Sequence, residues 1–281
     1  MKYILNVTNR LFDWLQRYWE SAGTQRILGT GLASAFILAI GIIHLNWLGF
    51  LPEPYKSLLP TNHLAAIALA FTLLLVLEVV SLVLSLARSV SDSVGKQFEI
   101  LSVILLRDTF QEFANFNEPL VWEDIGHSIV PITATALAAL LIFVVLGFYY
   151  PAQRHTRIVK DEEDKASFIA AKKVIALLLL ASFIFVVLNN LWLFITDREP
   201  TAAFESFYTL LIFSDILVVL ISLRYSASYH VAFRNSGFAV ATVFIRLALI
   251  APLLTGALLG VGTAVFALGI TFAYNIYTQN L

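Results

Sequence analysis

The 281-residue sequence is 59% hydrophobic and 13% charged, against about 45–50% apolar and about 25% charged in a soluble domain, which excludes a soluble globular enzyme and a disordered chain alike. Eighteen Lys and Arg against 19 Asp and Glu leave a net charge of -1, so no general basic surface is available for nucleic acid. The absence of cysteine removes disulfides, thiolate metal sites and cysteine nucleophiles.

At the start of the chain, residues 3–20 place Ile4, Leu5, Leu11, Phe12, Leu15, Tyr18 and Trp19 near one helical face, with Arg10 and Arg17 elsewhere. This pattern suits an amphipathic helix on the inner leaflet, with a simple extension of the first span as the alternative. No cleaved signal peptide is expected, because Lys2 is not followed by a long uninterrupted apolar region and a small-residue cleavage site. A membrane helix needs roughly 20 apolar residues. Eight segments meet or approach that length: 28–50, 64–87, 97–114, 129–150, 172–195, 205–224, 236–254 and 257–278. The third carries Glu99, Arg107 and Asp108, and the last two form one apolar stretch that Pro252 and Gly256 break into a hairpin.

Charge placement decides whether the third segment spans, since dropping it inverts every later loop. With eight spans, 14 of the 18 basic residues fall on the side of both termini: Lys2, Arg10, Arg17, Arg26, Arg88, Lys96, Arg154, Arg157, Lys160, Lys165, Lys172, Lys173, Arg224 and Arg234. Only Lys56 and Arg198 fall opposite, and Arg107 and Arg246 lie within spans. The positive-inside rule therefore favours eight spans with both termini cytoplasmic.

The two halves resemble each other. Asn46-Trp47-Leu48-Gly49-Phe50 and Glu53-Pro54 close the first span, while Asn190-Leu191-Trp192-Leu193-Phe194 and Glu199-Pro200 close the fifth. Glu78 precedes Ser85-Leu86 by the spacing that separates Asp215 from Ser222-Leu223. A turn with Lys96 or Arg234 follows, then Arg107 or Arg246 inside the next helix. The expected fold is an all-α polytopic membrane protein of about eight transmembrane helices in two parallel four-helix repeats. Its divisions are an amphipathic interface helix over 1–27, a first repeat over 28–150, a charged cytoplasmic linker over 151–171 and a second repeat over 172–281.

Ionisable groups at bilayer depth cost at least about 2.5–3.5 kcal/mol each, so they persist where paired, hydrated or useful. Counted from the flanking basic residues at about 1.5 Å per residue, Glu78 and Arg107 both lie roughly 15 Å deep, and Asp215 and Arg246 lie at about 14 and 18 Å. Two acid–Arg pairs are therefore expected at mid-depth. Three readings stand: static clasps between helices, carboxylates that bind a proton or cation in competition with Arg, and a voltage sensor. The last is disfavoured by only two arginines, Arg234 and Arg246, on the seventh span.

His44, Lys96, His230 and Arg234 are secondary candidates; His44 is either a proton carrier or hydrogen-bonded to a neighbouring helix. The five histidines show no metal-ligand spacing, and no nucleophile stands beside a base, so no catalytic residue, metal, cofactor or enzymatic activity is expected.

The second half, above all Phe213 to Asn275, resembles the phosphate-starvation-inducible PsiE-like family of small four-span bacterial membrane proteins. The resemblance rests on Asp215, the Arg224-Tyr225 pair, His230 and Arg234 in the turn, and Ile245-Arg246-Leu247. Glu78, Lys96 and Arg107 echo it in the first half. It implies a fused tandem in the bacterial inner membrane with a stress or phosphate response, and it brings no molecular mechanism. The expected function is accordingly that of a non-enzymatic inner-membrane protein, PsiE-like, with buried acid–Arg pairs. The alternative is a small ion- or proton-coupled transporter or channel using Glu78 and Asp215. The lipid bilayer is the expected partner; a second copy of the chain and an ion or proton are left open.

Overall fold

The computed structural model describes residues 2–52, 56, 59–87, 90–116, 118–153, 162–196, 203–224 and 229–279. Their regular structure is helical, with no strand among the described residues. In chain order the helices are α1 (Lys2–Trp19), α2 (Ala22–Trp47), α3 (Ala65–Ser85), α4 (Val90–Gln111) with a 3-10 turn at Glu112–Asn115, the single turn α5 (Trp122–Ile125), α6 (Ile129–Ala152), α7 (Glu162–Ile195), α8 (Ala203–Arg224), α9 (Tyr229–Ile250) and α10 (Leu253–Gln279). Every segment expected to span is helical over most of its length. Six of these helices, α2, α3, α6, α7, α9 and α10, are long and apolar enough to cross a membrane. Within α8 only Thr209–Val218 stands out as apolar, and α4, with its Asp92, Lys96, Glu99, Arg107 and Asp108, is not among the six. Residues 154–161 of the charged linker lie outside the described residues, as do the Glu53-Pro54 and Glu199-Pro200 ends of the repeat motifs.

Two apolar cores organise the helices. The first joins α4, α6, α9 and α10 through Phe98, Leu101, Ile142, Phe238 and Ile245, all nearly inaccessible. The second joins α1, α3, α4, α7 and α8, with the tilted rings of Phe183 and Phe207 4.8 Å apart between centres. Helix α4 belongs to both, turning Phe98 and Leu101 to one and Ile100 and Ile104 to the other. Helix α2 stands at the edge and packs on α3 through Ala39, Ile43 and Ala66. Outward faces carry large apolar residues such as Phe143, Phe185 and Leu258, each about 70% exposed, a surface that water solvates poorly and acyl chains accept. Trp47 and Trp192 close their helices with exposed indoles.

The hairpin between α9 and α10 turns at Pro252, as the sequence indicates, because proline cannot continue α9. The crossing is close. A Cβ at Gly256 would stand 2.5 Å from the Ala248 carbonyl oxygen, and one at Gly260 would press on Ile142 and Leu101. The Gly256-x-x-x-Gly260 pattern is thus used for intramolecular packing of α10.

Helix α1, expected to lie on the inner leaflet, packs on the helical body. Phe12 is fully buried in the second core, Asp13 pairs with Lys173 of α7 at 2.7 Å, and the Trp19 indole N–H donates to Ser81 Oγ of α3 at 2.8 Å. Val7, Leu11, Trp14 and Tyr18 form a second, exposed apolar stripe at helical spacing. One half of the apolar arc therefore docks on protein and the other half remains exposed. Ser21 caps α2 by accepting from the Thr24 N–H, so the second helix begins at Ala22, six residues earlier than the sequence pattern indicates.

Candidate intramembrane charge sites

Asp215 of α8 and Arg246 of α9 meet as the depth arithmetic requires. Arg246 is completely inaccessible, and its Nη2 donates to Asp215 Oδ2 at 3.2 Å. The same nitrogen donates to Gln97 Oε1 of α4 at 3.3 Å, a partner 149 residues away. One guanidinium edge thus ties three helices, while Nε and Nη1 have no hydrogen-bond partner. Beside the pair lies a cavity of about 30 Å³, lined by Asp215, Gln97, Lys172 and Thr242 among others, large enough for a water molecule. Lys172 is only 3% exposed and lies 5.1 Å from the centre of the Phe168 ring. The sequence counts it among the cytoplasmic basic residues, and the fold places it on the cavity that Asp215 lines.

The expected Glu78–Arg107 pair does not form. Arg107 turns to the adjacent carboxylate, and both its Nε and Nη2 donate to Asp108 Oδ1. Depth brings Arg107 close enough to act on Glu78 through space, but the acid next in sequence takes its hydrogen bonds. Glu78 is 8% exposed, and neither of its carboxylate oxygens has a hydrogen-bond partner. It lines an open-mouthed cavity of about 460 Å³ bordered by α3, α4 and the corner between α1 and α2. The other polar lining residues are Glu20, Gln25, Ser81, Ser85, Lys96 and Glu99. Lys96 is spoken for, donating to Glu99 Oε2 at 2.6 Å, while the Tyr150 hydroxyl donates to Glu99 Oε1 at 2.5 Å. Two sites that correspond in sequence therefore differ in kind: Asp215 is clamped and Glu78 is open-handed. Compared with protein-family models, curated proteins and solved structures, the chain has no significant match.

The remaining candidates fall into two places. At the start of α9, His230 stacks on Tyr277 at 5.8 Å, and the Arg234 guanidinium lies 4.3 Å over the Tyr274 ring, both rings belonging to α10. These contacts fasten the hairpin. At the other end of the molecule His44, which stacks on Trp47, meets His63, and His63 meets Glu118. A carboxylate can only accept, so His63 Nδ1 donates to Glu118 Oε2 at 2.9 Å; in the neutral ring Nε2 then accepts from His44 Nδ1 at 3.2 Å. Sequence spacing could not reveal this chain, because the three residues come from α2, the turn before α3 and the loop before α5. Among the described residues no three acids or histidines converge as metal ligands.

The hydrogen bond from His63 holds the Glu118 carboxyl below its ordinary value of 4.5. A depressed carboxyl pKa contributes stability that is present above the unfolded value and is lost as pH falls through the folded one. The loop contact should accordingly persist to below pH 4.5 and then open. In a carboxyl-carbon NMR titration Glu118 should show a midpoint below 4.5 that returns toward 4.5 in His63→Ala. An unchanged midpoint would mean that the contact does not form.

Proposed function

We propose that the chain is a non-enzymatic, proton- or cation-handling protein of the bacterial inner membrane, with Glu78 as the working carboxylate and Asp215–Arg246 as a fixed clasp. The observation that carries this reading is Glu78 itself: more than nine-tenths buried, with both oxygens unpartnered, on the wall of a cavity of about 460 Å³. A buried carboxylate without a partner is costly unless a proton or a cation meets it, and a cavity beside it supplies the route. In this reading α4 and α8 complete a set of eight spans, arranged as two parallel four-helix units of PsiE-like ancestry with both termini cytoplasmic. The neighbour order supports the repeat, since α2, α3, α4 and α6 adjoin in sequence as α7, α8, α9 and α10 do, and α4 meets α9 as α6 meets α10. The Glu78 cavity then opens toward the cytoplasm, where Glu20, Gln25 and Lys96 lie.

Reconstituted liposomes test the reading. The wild-type protein should dissipate a proton or monovalent cation gradient, Glu78→Gln should reduce the rate at least about tenfold, and Arg107→Leu should leave most of it. A wild-type rate equal to that of protein-free liposomes would sink the proposal.

A further inference from the structure

We infer that the Glu78 cavity is a binding site for a water-borne organic ammonium ion with an apolar body, an inference that rests on the function proposed above and names its substrate class. Three observations converge. Glu78 brings a buried carboxylate with two unused oxygens, the acceptor that an N–H or alkylammonium group meets best. Trp19 brings an indole to the same wall; its N–H is held by Ser81, which is three residues from Glu78 and so on the same face of α3. An aromatic face beside a carboxylate is the pairing that favours organic cations over hydrated inorganic ones. Ile100 and Val103 add apolar wall for a hydrocarbon body.

Charge and size narrow the class further. Three carboxylates, Glu20, Glu78 and Glu99, face one ammonium, Lys96, so an anion is disfavoured. Lys96 and Glu99 satisfy each other, and Glu20 accepts from Gln16 at 3.1 Å, which leaves Glu78 as the lining carboxylate with neither oxygen engaged. A bare divalent ion needs several hard oxygen ligands at once, and no such group converges among the described residues. The volume of about 460 Å³ falls within the range of about 300–1,000 Å³ typical of small-molecule sites.

Calorimetry on the full chain in maltoside detergent, with benzyltrimethylammonium as the probe, tests the inference. Saturable binding is expected, weakened at least about tenfold in Glu78→Gln and about three- to tenfold in Trp19→Leu, which loses the aromatic face and keeps apolar bulk. The uncharged isostere neopentylbenzene should not compete. Equal affinity in Glu78→Gln, equal competition by the isostere, or displacement by lysophosphatidylethanolamine but not by a small free amine would each overturn it. Melting temperatures taken on the same samples show that each variant is folded. Proton flux in liposomes without organic-cation binding would overturn this inference alone, whereas binding without any flux would overturn the proposed transport and leave the site standing.

Discussion

Arg246→Leu is expected to destabilise the protein by about 3–5 kcal/mol, and the double variant with Asp215→Leu to recover a large part of that loss. The guanidinium is fully inaccessible and its Nη2 serves both Asp215 and Gln97. Removing it strands a carboxylate and an amide oxygen in the interior, and a charge left uncompensated costs more than the pair was worth. Removing both charges leaves an apolar contact among α4, α8 and α9 and only Gln97 to be satisfied. Thermal unfolding in detergent should therefore rank wild type, then the double variant, then either single one. Equal melting temperatures for the single and double variants would show that the two side chains are not coupled.

Glu78→Gln should act in the opposite sense, raising stability by about 1–2 kcal/mol while cutting flux at least about tenfold. Nothing donates to the Glu78 carboxylate, so its replacement breaks no hydrogen bond and relieves the burial of an ionisable group. Substitutions that stabilise a fold while removing its activity mark groups held in place for function. Melting temperature and gradient dissipation measured on one preparation check both halves of the expectation. A large fall in melting temperature would instead make Glu78 a structural residue like Asp215.

The contrast between these two acids also shows what could be read in advance. Helix positions were legible because each apolar run needs its own cylinder, and the break at Pro252 was legible because proline cannot donate into a helix. Asp215 and Arg246 were legible because depth along neighbouring helices can be counted in residues. The same count failed for Arg107, since it ignores Asp108 one position away, and a flexible guanidinium settles on the nearest carboxylate. Gln97 and Lys172 gave no warning: an uncharged amide carries no depth signal, and a lysine near a helix end looks like an orientation marker whether or not it is buried. The large cavity was hidden for a different reason. One of its walls is the corner after α1, and only the docking of Phe12 and Trp19 brings that corner against α3 and α4.

That docking has an implication for how the molecule is made. Asp13 emerges from the ribosome before its partner Lys173, which follows 160 residues later, at about 5–20 residues per second a delay of roughly 8–30 seconds. Until then the N-terminal helix has Ser81 to hold but not α7. Its exposed stripe of Val7, Leu11, Trp14 and Tyr18 is an apolar face of the kind that suits an interim berth on lipid. Helix α1 is thus made well before the α7 surface that completes its seat, and the corner it shares with the Glu78 chamber is fully anchored only once Lys173 has followed.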